Sequence, residues 1–153
     1  MNETSVLHRI QGLPWERIAT VYARIALGAA FLSAVAGRFG VWRGQIRPEL
    51  SANFMKHTAE LNSFMPAAAI PFLAWAATAA EVSLGVALVF GVWPRRVAFG
   101  AAGLLALFGT TMLIAEGPKS PLDYSVFSAS AGALLLGLRG SGRGASRSAD
   151  VPL

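Results

Sequence analysis

The chain has 153 residues, of which 54% are hydrophobic and only 14% are charged. A soluble domain carries about 25% charged residues, so this chain has too little charge to cover the surface of a water-soluble fold. Cysteine is absent, which excludes a disulfide framework, thiolate zinc sites, iron–sulfur clusters and CxxC dithiol chemistry.

Four stretches of the chain are almost free of Asp, Glu, Lys and Arg. They are residues 18–37 apart from Arg24, residues 61–94 apart from Glu81, and residues 97–115 and 124–138. A helix needs about 20 apolar residues to cross a hydrocarbon core about 30 Å thick. We therefore predict an all-α fold, a four-transmembrane-helix bundle with helices over residues 18–38, 71–93, 97–115 and 122–138. The alternative, a soluble globin-like bundle, is disfavoured because the third helix has no polar face.

The segment between the first two predicted spans has a helical pattern of its own. One stripe with helical spacing is apolar and consists of Leu50, Phe54, His57, Leu61 and Phe64. This spacing predicts a short amphipathic helix over residues 48–65, which lies on the membrane or caps the bundle. His57 on that stripe is either a packing residue or a ligand or proton relay.

Basic residues are distributed unevenly between the two sides that four spans define. The side with both termini and the loop between the second and third spans holds seven Lys or Arg residues, and the other side holds five. The positive-inside rule then predicts a bacterial-type inner-membrane protein with both termini cytoplasmic. Residues 1–17 form the predicted amino-terminal segment and residues 139–153 a disordered cytoplasmic tail. The net charge of +5 is a topology signal, so nucleic acid is not an expected partner.

Two charged residues are predicted to lie inside the membrane. Glu81 is close to the middle of the second span, where an ionisable group is costly and usually marks a site. Arg24 lies on the first span, offset from Glu81 by about 9 Å at 1.5 Å rise per residue. We predict that both face the bundle interior and form a direct or water-bridged pair. This pair is either a structural lock or a polar centre that binds a headgroup, a quinone oxygen or a proton.

The other polar residues of the spans are mostly hydroxyls. Thr78 shares a face with Glu81, and Ser128 lies on a small-residue face of the last span. Helix packing explains such positions, but both are candidates for the polar centre. No catalytic triad is predicted, because His8 and His57 lie outside the spans, and no metal site is predicted.

Several short motifs together resemble the DoxX family of membrane proteins. In the first span these are Arg24, Phe31 and Arg38; in the second they are Glu81-Val-Ser-Leu-Gly and Leu88-Val-Phe-Gly, followed by Pro94-Arg-Arg. The segment Lys119-Ser-Pro-Leu-Asp123-Tyr-Ser-Val-Phe-Ser before the last helix is also similar. The resemblance extends over residues 18–138 and adds Arg38 and Asp123, with His57, as secondary site candidates.

The resemblance implies a four-helix inner-membrane bundle, similar in some members to small subunits of thiosulfate:quinone oxidoreductase. Without cysteine or evident redox ligands, we do not expect this chain to be an enzyme on its own. Three hypotheses remain. The first is a non-catalytic accessory or anchor subunit of a membrane-associated system, such as a redox system, with the bilayer, a protein partner or a second copy as partners. The second is a quinone- or lipid-binding subunit, and the third is a small proton-coupled transporter that uses Glu81.

Overall fold

A computed structural model of the chain describes residues 14–44, 46 and 50–139. These residues form an all-α structure without strands. Its helices, in chain order, are α1 (Pro14–Arg38), α2 (Ala52–Leu61), α3 (Ile70–Phe90), α4 (Pro94–Glu116), α5 (Lys119–Asp123) and α6 (Val126–Arg139), with short 3₁₀ turns at Val41–Arg43 and Ala67–Ala69.

Three of the helices have the length and apolar character of membrane spans. The spans cover Trp15–Arg38, Ala67–Phe90 and Pro94–Glu116, and Val126–Arg139 is a shorter apolar helix. Large apolar and aromatic side chains are exposed along these helices, among them Ile25, Phe72 and Ile114. A protein surface of this kind is suited to lipid and not to water.

The bundle consists of two helix pairs, α1 with α3 and α4 with α6, which are packed most closely near the turn between α3 and α4. The buried core lies there and consists of Phe31, Leu88, Ala98, Ala101, Ala102, Ala133 and Leu136. We call this region, around the Gly91–Trp93 turn, the packed end. The opposite region, where α1 ends at Arg38 and α2 lies against α3 and α4, is the open end.

A close approach between two glycines fixes the register of α1 against α3. A Cβ atom on Gly28 would lie 2.8 Å from the Gly85 carbonyl oxygen and 2.7 Å from Val89 Cγ2. Neither distance is compatible with an ordinary van der Waals contact, so only glycine fits at position 28 without a shift of the helices. Small residues at such crossings allow helix backbones in membranes to pack tightly.

Two helix ends differ from the sequence-based boundaries for identifiable reasons. Helix α3, the second predicted span, ends at Phe90 and not at residue 93, because Gly91 adopts a left-handed conformation with φ 73° and forms the C-cap. The predicted helix over residues 122–138 is divided into α5 and α6, since Ser125 between them has φ 54°.

The amphipathic segment is also shorter than the predicted range of 48–65. It forms α2 over Ala52–Leu61, where the Ser51 side chain accepts a hydrogen bond from the Phe54 backbone N–H at 3.2 Å. Such an N-cap fixes the start of a helix. Residues 47–49, most of the amino-terminal segment (1–13) and the predicted tail from residue 140 onward lie outside the described residues.

Candidate functional site

An ion pair joins the end of α1 to the middle of α3. Arg38 Nη2 donates to Glu81 Oε1 at 2.7 Å, and Arg38 Nη1 donates to Thr78 Oγ1 at 3.1 Å. The Glu81 side chain is only 2% exposed and that of Arg38 13%. Within the described residues, Glu81 Oε2 has no hydrogen-bond partner. Glu81 therefore faces the bundle interior, as the sequence predicts, and Thr78 lies beside it.

The prediction that Arg24 is the partner of Glu81 is wrong. Arg24 Nε instead donates to the Leu88 carbonyl at 3.0 Å, and its Nη2 donates to the Val89 carbonyl at 3.3 Å. These carbonyls belong to the last turn of α3, whose C=O groups lie beyond the regular hydrogen bonds of the helix; the Leu88 carbonyl also accepts from the Gly91 N–H at 3.3 Å. Arg24 thus caps a helix C-terminus, a position where a cation is favoured by the helix dipole.

The direction in which helical side chains lean explains why Arg38, and not Arg24, is the partner of Glu81. Each Cα–Cβ bond of a helix tilts toward that helix's N-terminus, and α1 runs from the packed end to the open end. Arg24 therefore extends away from Glu81, toward Leu88, which is about 10 Å farther along α3 at 1.5 Å rise per residue. Arg38 lies beyond Glu81 and extends back toward it. Sequence offsets alone do not include this tilt.

A cavity of about 560 Å³ lies at the open end, with Arg38 in its wall. Its floor is apolar and comes from α3 and α4, through Leu73, Ala76, Ala77, Ala80, Leu104, Leu107, Phe108 and Met112. Cavities of this size, with mostly apolar walls and a few polar groups, are typical of sites for small molecules. The polar side chains in the wall are Arg38, His57, Thr58, Asn62 and Thr111.

Helix α2 covers this cavity with the stripe that the sequence marks as apolar. Phe54, His57 and Leu61 of α2 and Phe64 after it all line the cavity. The Arg38 guanidinium lies 4.0 Å from the centre of the Phe54 ring, a distance suited to a cation–π contact. Arg38 therefore contacts α3 through Thr78 and Glu81 and α2 through Phe54.

Two of the polar side chains in the wall each have one polar atom for which no hydrogen bond is found within the described residues. His57 Nδ1 lies 3.5 Å from Glu116 Oε1 at the end of α4, which leaves its Nε2 available. Asn62 donates through Nδ2 to the Thr58 carbonyl at 2.9 Å, which leaves its amide oxygen available. The sequence does not single out Asn62 as a site residue, because a lone Asn after an apolar stripe looks like an ordinary helix end.

The remaining predicted site residues lie away from this cavity. Ser128 is exposed on α6, and Asp123 pairs with Lys119 within α5 on the surface. The hydroxyl of α6 that reaches another helix is Ser130, whose Oγ donates to the Ala102 carbonyl at 2.8 Å. Among the described residues, no group of three or more His, Cys, Asp or Glu side chains is placed to hold a metal ion.

The DoxX family model matches residues 19–115, which is more than half of the chain. The chain belongs to the DoxX family. No curated protein and no solved structure matches it. In this DoxX protein, the matched region contains the Arg38–Glu81 pair and the whole floor of the cavity. Helices α5 and α6 lie beyond the match, although the sequence motifs suggest a resemblance up to residue 138.

Proposed function

We propose that this chain is a four-span membrane protein that serves as a non-catalytic accessory subunit and holds one amphipathic molecule, a quinone or a lipid, in the cavity beside Arg38. The observation that carries the proposal is the cavity itself, which has an apolar floor on α3 and α4 and a charged donor, Arg38, in its wall. A molecule with a polar head and a hydrocarbon tail would place its tail on the apolar floor and its head at Arg38.

The four-span arrangement is supported by the short helix α5, which directly precedes α6 in the chain. Helix α6 alone has 14 residues and is about 21 Å long at 1.5 Å per residue, which is less than the thickness of about 30 Å of a hydrocarbon core. We take α5 and α6 together, residues 119–139, as the segment that forms the fourth span. With four spans, the excess of Lys and Arg on the side of both termini favours a cytoplasmic location for that side in a bacterial-type inner membrane.

An accessory role is supported by the composition of the chain. With no cysteine, thiol–disulfide chemistry at this site would depend on a partner protein. The polar groups at the cavity are hydrogen-bonding groups, which can bind and orient a head group. We therefore place the chain beside a membrane-associated system, of which a quinone-linked oxidoreductase is one type, as the subunit that binds its amphipathic component.

Native mass spectrometry of the detergent-purified chain, with organic extraction of bound molecules, tests this function. We expect one quinone or lipid per chain in the wild type and none in Ala80→Phe, because Ala80 lines the cavity. Ala79→Phe is the matched control, since Ala79 is the neighbouring exposed residue of the same helix and does not line the cavity. Equal occupancy in the two variants, or an empty wild type, would contradict the proposal.

A further inference from the structure

We propose that Glu81 sets the charge preference of the cavity. By neutralising Arg38, it makes the cavity a site for an uncharged amphiphile whose head group accepts hydrogen bonds, and it disfavours anionic lipids. This inference rests on the proposed function, because it concerns the ligand of the same cavity. Glu81 does not itself line the cavity, so its role is to determine specificity through Arg38.

Arg38 and His57 of the cavity wall each lie beside one acidic side chain. In the part of the chain that the structure describes, Arg38 is the one Lys or Arg in the cavity wall, and no Asp or Glu belongs to that wall. Arg38 is held 2.7 Å from the Glu81 carboxylate. His57 has Glu116 beside it at 3.5 Å, so this second pair adds no net positive charge in either protonation state of the imidazole.

An anionic head group at Arg38 would lie close to a second negative charge. Glu81 is almost fully buried, so solvent ions screen its charge very little. In surroundings of low dielectric constant, the repulsion between the ligand and this carboxylate offsets the attraction to the guanidinium. Arg38 therefore does not act here as an unpaired cation of the kind that binds phosphate.

An uncharged head group that accepts hydrogen bonds is not repelled by Glu81, and Arg38 can still donate to it. A guanidinium carries five N–H groups, and Arg38 uses only part of them on Glu81 and Thr78. A carbonyl or ester oxygen needs one such N–H and no net charge. The amide oxygen of Asn62 and Nε2 of His57 extend the polar region, so a head group that also carries a hydroxyl has an acceptor nearby.

The experiment compares two probes that share one hydrocarbon chain, monoolein, which is uncharged, and oleyl sulfate, which is permanently anionic. Each is titrated into the detergent-purified full chain in a non-ionic detergent, and bound probe is counted by native mass spectrometry. For the wild type, we expect monoolein to bind about tenfold or more tightly than oleyl sulfate. For Glu81→Gln, which leaves Arg38 without its counter-ion, we expect the preference to reverse.

Glu60→Gln is the matched control, because it makes the same chemical change on the exposed side of α2, where Lys56 is the ion-pair partner of Glu60 within the described residues. It should keep the wild-type preference. A wild type that prefers oleyl sulfate, or an unchanged preference in Glu81→Gln, overturns the inference and leaves the proposed function standing. If Glu81→Gln does not fold, the wild-type ratio alone decides. A wild type that binds neither probe overturns the proposed function and this inference with it.

Discussion

The two ends of the bundle each use one arginine of α1, and they use it differently. At the packed end, Arg24 donates to two backbone carbonyls of α3, beside a core of alanines with Phe31, Leu88 and Leu136. At the open end, Arg38 forms an ion pair with Glu81 next to a cavity. The comparison shows that both arginines join α1 to α3, one through backbone carbonyls at a helix end and the other through a buried carboxylate beside a cavity.

Small residues are one reason why the helices touch at one end and separate at the other. Gly28 and Gly85 bring α1 and α3 together, and Ala98, Ala101 and Ala102 let α4 approach the core. Larger α4 side chains, Leu104, Leu107 and Phe108, stand in the cavity wall. Helix α2 contributes Phe54, His57 and Leu61 to the wall of the same cavity.

Arg38→Ala should cause the largest loss of stability of any single substitution at either end. It leaves the Glu81 carboxylate buried without its counter-ion, and breaking a buried pair in this way costs about 3–5 kcal/mol. Thermal melting of the detergent-purified protein, followed by size-exclusion chromatography, measures the loss. Arg95→Ala is the control, because Arg95 is exposed and its guanidinium lies 5.9 Å from the centre of the Phe99 ring.

Gly28→Ala should have the next largest effect and tests the packing of the other end. The added methyl group meets the Gly85 carbonyl and Val89, and such overpacking costs about 1–3 kcal/mol. Gly103→Ala makes the same change in α4, where the new Cβ would enter open space and meet no neighbouring helix within 4 Å among the described residues. That variant should be unchanged or more stable by up to about 1 kcal/mol, because alanine favours a helix more than glycine does. Equal melting temperatures for the two variants would show that the helices do not cross closely at Gly28.

Arg24→Ala should be clearly milder than Arg38→Ala. It removes hydrogen bonds from a charged donor to the Leu88 and Val89 carbonyls, a loss of about 1.5 kcal/mol, but it leaves no buried charge behind. The same melting assay measures this difference. A loss for Arg24→Ala that matches or exceeds that for Arg38→Ala would contradict the distinction between the two ends.

His57→Ala should have the smallest effect on stability. The His57 side chain is 46% exposed and that of Glu116 33%, and partly exposed ion pairs contribute about 0–1 kcal/mol. We expect a near-native melting temperature together with weaker binding of an amphiphile, measured by native mass spectrometry. A large loss of stability would mean that α2 is held by this contact and not by Phe54 and Arg38.

Much of the fold follows from the sequence, because charge-free runs of about 20 residues can cross a bilayer and a family resemblance supports the order of the elements. The buried position of Glu81 also follows, because an ionisable group in the middle of a span is costly and is expected to face the bundle interior. The pairing of Arg38 with Glu81 does not, since it depends on the tilt of side chains along α1 and on the register set by Gly28 and Gly85.

The cavity could not be predicted either. It depends on how α3 and α4 pack against each other and on the position of α2, which are tertiary features without a local signal. The sequence does place His57 on the stripe of α2 that faces this cavity. It leaves Arg38 as a secondary candidate, because a basic residue at the end of a span is usually a topology signal.

A double-mutant cycle in detergent tests the pairing of Arg38 with Glu81 most directly. Arg38→Met and Arg24→Met are each combined with Glu81→Leu, and the free energy of unfolding is measured for all single and double variants. We predict a coupling energy of more than about 1 kcal/mol between positions 38 and 81, because residues in one ion pair do not add independently, and almost none between positions 24 and 81. Coupling of Glu81 to Arg24, or the absence of coupling to Arg38, would contradict the distinct roles of the two arginines.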